Sequence, residues 1–161
     1  MIAYLALGSN LGDRWLHLRQ AVASLRELDP GLTVSSVYET APVGGPDDQG
    51  PYLNCVVGLE TALEPLQLLA FAQGLEAAAG RVRTVRDGPR TLDVDVLLAD
   101  SIVTESPDLT IPHPRMYERG FVLAPLEELD PSLVPPGWRS TLPGADHLDK
   151  DVRMVGTLLV G

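Results

Sequence analysis

The order in which strand-like and helix-like segments alternate is the feature that most restricts how this chain can fold. Residues 2–7 form an apolar run that stops at Gly8-Ser9-Asn10, a turn signal, and read as a buried strand. Trp15, Leu18, Val22 and Leu25 then recur every three or four residues, which predicts a helix to about Leu28, ended by Asp29-Pro30-Gly31. Residues 32–39 have a strand composition in Thr33, Val34, Val37 and Tyr38, and residues 52–61 read as another strand. Between them, Pro42 to Pro51 is too rich in Gly, Pro and Asp to be anything but loop. Pro65 suits the first turn of a second helix that runs to Ala79, with Gly80 as its stop. A second loop, Arg81 to Pro89, leads into a strand over residues 91–98.

Strand, helix, strand, strand, helix, strand is the order of a split βαβ unit. The expected class is therefore α+β: a ferredoxin-like βαββαβ core, an antiparallel sheet with helices packed on one face. Beyond residue 100 the pattern weakens to a short strand at Leu109-Thr110-Ile111 and an apolar segment from Phe121-Val122-Leu123. Residues 130–144, with Pro131, Pro135, Pro136 and Pro143, read as an extended surface tail of a C-terminal extension.

At 161 residues the expectation is one domain, residues 1–161, large enough to bury a core without disulfides or metals. Twenty-two acidic against 12 basic residues give a net charge of −10, which argues against nucleic acid and anionic membranes as partners. Cys55 is the only cysteine, so no intrachain disulfide can form. The first apolar run has no basic region before it, and no stretch approaches the ~20 residues that span a bilayer. A cytoplasmic protein is the resulting expectation.

The strongest chemical signal is Arg86-Asp87-Gly88-Pro89-Arg90-Thr91-Leu92-Asp93-Val94-Asp95. Alternate residues of a strand share a face, so Asp93 and Asp95 point one way, about 7 Å apart, while Leu92, Val94 and Val96 point the other. Two such carboxylates suit magnesium, which takes a few carboxylates together with phosphate oxygens. The plainer alternative, a solvated strand face, is weakened by Leu97 on the same side. Arg81, Arg83, Arg86 and Arg90 place four of the chain's 12 cations within ten positions, and the guanidinium fork matches phosphate. Cation-binding aspartates beside anion-binding arginines point to a nucleoside triphosphate with magnesium. The chain has no Gly-x-x-x-x-Gly-Lys-Ser/Thr loop, and its one lysine, Lys150, lies in the tail.

The run Arg86-x-Gly-Pro-Arg-x-x-Asp-x-Asp resembles the signature of the 6-hydroxymethyl-7,8-dihydropterin pyrophosphokinase family of folate biosynthesis. The likeness continues in family order through about residue 130: Gly8-Ser9-Asn10-Leu11-Gly12-Asp13, Tyr38-Glu39-Thr40-Ala41-Pro42, Tyr52-Leu53-Asn54, Gly80-Arg81-Val82-Arg83, Ile111-Pro112-His113-Pro114 and Arg119-Gly120-Phe121-Val122-Leu123. Residues 131–161 match weakly. The resemblance implies transfer of the β,γ-pyrophosphoryl group of ATP to the pterin hydroxymethyl oxygen, with release of AMP. It implies two magnesium ions on Asp93 and Asp95. No side chain of the sequence stands out as a general base, and Asp95 is the best candidate to assist the attacking hydroxyl. Arg81 and Arg90 would stabilise the transferring group, and Arg83 would support them. Gln73, Glu76, Thr110, His113 and Arg119 fall at nucleotide positions, with His113 read as a phosphate contact and not a base. Tyr52 and Phe121 would sandwich the pterin, and Asn54 would read its edge with backbone groups from Thr40 to Val43. Asp87 stands where family members often carry a tryptophan. The expected partners are ATP and the pterin, with the chain a monomer. A non-catalytic nucleotide- or pterin-binding module on the same fold is the alternative.

Overall fold

A computed structural model describes residues 1–41, 50–80, 91–142 and 152–158. The first strand, β1 (Ile2–Ser9), leads to α1 (Arg14–Leu25), and then come β2 (Thr33–Val34), β3 (Val37–Thr40), β4 (Tyr52–Glu60), α2 (Pro65–Ala78) and β5 (Asp93–Ala99). A small ribbon of β6 (Thr104–Glu105) and β7 (Thr110–Ile111) precedes α3 (Gly120–Leu129), the short α4 (Trp138–Thr141) and β8 (Val152–Gly156). The large sheet has the order β5-β1-β4-β3-β8, with β2 also on β4, and every pairing in it is antiparallel. The protein is thus a mixed fold of helices on an antiparallel sheet.

Period-two alternation divides the side chains of the central strands. Leu5 and Leu7 of β1, with Leu53, Cys55 and Val57 of β4 and Val94 and Val96 of β5, face a core closed by Leu18, Val22 and Leu25 of α1 and Leu68, Ala72 and Leu75 of α2. The apolar spacing foreseen for α1 is the one it buries. Its start is set by Asp13, whose carboxylate accepts the Leu16 N–H at 3.1 Å, and α2 opens with Pro65 in its first turn as expected.

Helices on one face only was the expectation; the structure has them on both. Val56, Leu97, Met116, Val122, Leu123 and Leu126 form a second core on the opposite face, beneath α3. Residues 130–144 were expected to be surface tail, yet Val134 and Trp138 are buried in this second core. The Trp138 indole N–H donates to Glu127 at 2.7 Å, and β8 extends the sheet beyond β3. The prolines break the segment into short turns, but they do not prevent its apolar anchors from docking.

Two further boundaries differ. The strand expected over 32–39 is split, because Ser35 donates its N–H to the Val56 carbonyl and accepts the Val56 N–H on Oγ, standing in for the ladder. Glu128 of α3 then takes the Ser36 N–H and hydroxyl, each at 2.8 Å, and ties the break to the second core. At the other boundary, β1 does not stop at Gly8 but pairs through Ser9. Among the described residues, no helix is long and apolar enough to cross a membrane.

Burial pushes the Cys55 thiol up to about 12. Because the thiolate is the nucleophile, folded protein should not react with a disulfide reagent such as DTNB at pH 8, and should release one equivalent when denatured. The unfolded thiol ionises near its ordinary value of 9.0 while the folded one keeps its proton. Stability from this group is therefore full below about pH 9 and falls as pH rises toward 12, which urea melts at stepped pH would read.

Candidate active site

The candidate residues of the strands gather at one end of the sheet, because β1 and β3 end there while β4 and β5 begin there. On the face that carries the second core, Gly8 of β1 lies between Asn54 of β4 and Asp93 of β5, its register partners on either side. Asp93 and Asp95 alternate with buried Val94 and Val96, so both carboxylates share this face as the spacing predicts. Further along the same face, Val56 and Leu97 pass beneath α3. A single sheet surface is therefore apolar and covered at one end and polar at the other.

Asn54 and Thr40 are both buried, and the Asn54 amide donates to Thr40 Oγ1 at 2.8 Å. That bond fixes the carboxamide, with Oδ1 toward Gly8. Tyr52, two residues earlier on β4, shares the face and is half-buried. Phe121 occupies the first turn of α3, and its ring lies 5.6 Å from the Arg119 guanidinium. Arg119 in turn reaches Asp95, Nη1 to Oδ2 at 4.0 Å, so the α3 start and the β5 carboxylates belong to one cluster.

His113 is held beside that cluster by its own backbone, donating its N–H to the Leu97 carbonyl at 2.9 Å. Its Nδ1 accepts the Arg115 N–H at 3.2 Å, which places the ring proton of the neutral imidazole on Nε2. Burial lowers its pKa most; Asp95 pulls the other way, and Arg119 and Arg115 push it further down. At neutral pH His113 is thus a neutral N–H donor. A cleft of about 230 Å³ opens here along the outer edge of β5, lined among others by Leu69, Asp95, Ser106, Thr110 and His113.

Of the residues expected at the site, Thr110, His113 and Asp95 line one cleft, and Arg119 joins them through Asp95. Gln73 is exposed on α2 and is not among the cleft-lining residues. Glu76 is 7% exposed, and its Oε2 accepts the Val94 N–H at 3.0 Å, so its carboxylate is engaged with the β5 backbone between the two aspartates. Its place in the helix period, four residues after buried Ala72, is a signal of inward orientation. Glu76→Ala should lower the unfolding free energy by about 1–3 kcal/mol, the penalty for an unmet polar group. Glu76→Gln, which keeps an acceptor oxygen, should lose less; paired urea melts would separate them. Val43, Arg81, Arg83 and Arg90 lie outside the described residues. Gly8 reads from sequence as a turn signal and part of the family likeness and not as a site residue, and Ser106 carries no signal; a glycine inside an apolar strand run is what could have marked the first.

The pair Asp93 and Asp95 fits magnesium. Among the described residues no cluster of three or more His, Cys, Asp or Glu side chains is placed to hold a metal. Magnesium needs none, since it binds through one or two carboxylates and completes its shell with water and substrate phosphates.

Comparison with known proteins agrees with this chemistry. A family model described as 7,8-dihydro-6-hydroxymethylpterin-pyrophosphokinase (HPPK) matches residues 4–131. The 2-amino-4-hydroxy-6-hydroxymethyldihydropteridine pyrophosphokinase of Bacillus subtilis (strain 168) is 53% identical over 131 residues, 80% of this chain and 77% of its own length. The protein of the same name from Haemophilus influenzae is 44% identical over 136 residues, 83% of this chain and 84% of its own. The folic acid synthesis protein fol1 of Schizosaccharomyces pombe is 43% identical over 137 residues, and there the match spans 84% of this chain but 19% of the longer protein. Among solved structures, an HPPK-DHPS in complex with substrates aligns with a TM-score of 0.62 at 14% identity, over 95% of this chain and 48% of that one. A Plasmodium falciparum HPPK-DHPS triple mutant aligns at 0.58 and 15% identity, over 85% of this chain and 41% of that one. This chain spans about half the length of these two-part proteins, and at such identities the likeness is one of fold. The sequence matches go further: they cover most of this chain and most of its bacterial relatives, and the chain belongs to the 7,8-dihydro-6-hydroxymethylpterin-pyrophosphokinase family.

Proposed function

We propose that this chain transfers the β,γ-pyrophosphoryl group of ATP to the hydroxymethyl oxygen of 6-hydroxymethyl-7,8-dihydropterin, a step of folate biosynthesis. The observation that carries the reading is the register at Gly8, which sets Asp93 and Asn54 on the two strands that flank β1, on one face of the sheet. The phosphate-binding and pterin-binding halves thereby share a floor. The hydroxymethyl oxygen bonds to the β-phosphorus, the bond from that phosphorus to the oxygen bridging the α-phosphate breaks, AMP leaves with the bridging oxygen, and the hydroxyl proton is lost.

Asp93 and Asp95 hold magnesium, two ions in this reading, which when bound neutralises phosphate charge and favours the ionised hydroxyl. Phosphoryl-type transfer otherwise needs positioning and fixed charge more than covalent chemistry. Arg119, beside Asp95, supplies a cation at the phosphates, and His113 donates a neutral N–H through Nε2. Thr110 lines the nucleotide cleft, with Gln73 and Glu76 on the neighbouring helix. Arg81, Arg83 and Arg90 add the charge that the transferring group needs. Tyr52 and Phe121 offer aromatic faces to the pterin, and Asn54, locked by Thr40, reads its edge with the backbone toward Val43. Asp95 takes the hydroxyl proton.

The strand order β5-β1-β4-β3 supports a ferredoxin-like core with a C-terminal extension. A single domain acting as a cytoplasmic monomer completes the proposal. The test is to mix the protein with ATP, magnesium and the pterin and to measure AMP. One AMP per pterin diphosphate supports the reading. Binding of both ligands by folded protein with no AMP would instead make the chain a binding module.

A further inference from the structure

Gly8 is a glycine that its backbone does not require. It sits inside a paired strand, and it is absent from the residues with positive φ. Glycine weakens a strand interior, and where φ permits it alanine is usually the more stable choice. What Gly8 supplies is room. A Cβ built there would lie 3.0 Å from Asn54 Oδ1 and 3.5 Å from Tyr52 Cδ1, and the first of these is tighter than side chains normally tolerate. Asn54 has little freedom to yield, since its amide is fixed to Thr40 and the pair is buried.

We infer that Gly8 is a positioning residue for the pterin: its missing side chain lets the Asn54 carboxamide and the Tyr52 ring lie across β1 toward Asp93. This rests on the pterin reading of Asn54 and Tyr52 given above. The glycine acts through those two side chains and sets how closely the pterin approaches the phosphate half of the site. Gly58, on the same strand as Asn54, is the natural control. A Cβ there would meet Thr33 Oγ1 at 2.9 Å and Tyr4 at 3.0 Å, an equally crowded place at the other end of β4.

The test is a set of dissociation constants for the pterin and for ATP, with melting temperatures, on wild type, Gly8→Ala, Asn54→Ala, the double variant and Gly58→Ala. Gly8→Ala should weaken pterin binding at least tenfold and leave ATP within twofold. In the Asn54→Ala background the same change should add less than threefold, because the clashing group is gone. Gly58→Ala should lower the melting temperature and leave the pterin constant unchanged. Wild-type pterin affinity in Gly8→Ala, or a full additive loss in the double variant, overturns the inference. Should Gly8→Ala fail to fold, NMR on the unaltered protein decides: adding pterin without ATP should shift the Gly8 amide and Hα resonances but not those of Gly58, and an unmoved Gly8 overturns it. Wild type that turns pterin over while Gly8→Ala is unaffected defeats this inference alone, whereas wild type that binds no pterin defeats the functional reading beneath it.

Discussion

Asp95→Asn is expected to lower kcat/KM by a thousandfold or more while moving the melting temperature by no more than a degree or two. A thousandfold corresponds to about 4 kcal/mol of lost transition-state stabilisation. The asymmetry follows from where the carboxylate sits. Its side chain is 45% exposed, and its ion pair with Arg119 is long at 4.0 Å, so folding draws little on it. In the proposed reaction catalysis draws on it heavily, because the amide keeps the shape and loses the charge that would hold magnesium against the phosphates. The magnesium concentration giving half-maximal rate should rise in the same variant, and Asp93→Asn should behave alike. Steady-state rates at stepped magnesium, with a thermal melt on the same samples, test this. Full activity in Asp95→Asn would place the metal elsewhere.

Trp138→Ala should do the reverse, with a large loss of stability and intact chemistry in the protein that remains folded. Trp138 is 3% exposed in the second core, and removing a buried aromatic ring costs about 3–5 kcal/mol. For a chain of this size that corresponds to a fall in melting temperature on the order of 10 °C. The substitution also strips Glu127 of its indole partner. Trp138→Phe keeps most of the ring and loses the hydrogen bond, so it should fall by about 1 kcal/mol for that bond plus a smaller packing loss. KM values measured well below the transition should match wild type for both. Trp138 lies beyond residues 4–131, the stretch matched by the family model, so the experiment also asks whether the fold needs its C-terminal residues. A melting temperature unchanged in Trp138→Ala would return the segment to the status of a tail.

What the sequence made legible and what it hid divide along physical lines. Asp93 and Asp95 could be put on one face because strand alternation is strictly local, and no distant contact can alter it without breaking the strand. The α1 stripe was readable for the same reason. The inward turn of Glu76 was overlooked because a carboxylate is ordinarily left in water, although its position in the helix period pointed inward. Gly8-Ser9 looked like a turn because glycine marks turns and close approaches alike, and only the pairing with Asn54 and Asp93 separates the two. β8 and Trp138 were hidden most deeply. Their order comes from tertiary partners, Tyr38 far back in the sequence for the strand and Glu127 of α3 with the second core for the ring, while the prolines nearby suggest an extended surface tail. The roles of Val43, Arg81, Arg83 and Arg90 rest on sequence resemblance.

The division of one sheet face into a covered half and an open half has an evolutionary consequence. Asn54 and Val56 are two residues apart on β4, and Asp95 and Leu97 two apart on β5, so in each strand the site and the second core share one alternation. Inserting or deleting one residue within 52–56 or 93–97 would turn part of that set through to the other side, trading a carboxylate for a valine or a leucine for solvent. These two stretches can change letters but not length. Relatives that differ in size should therefore place every gap outside them, and alignments across the family should run through both without a break.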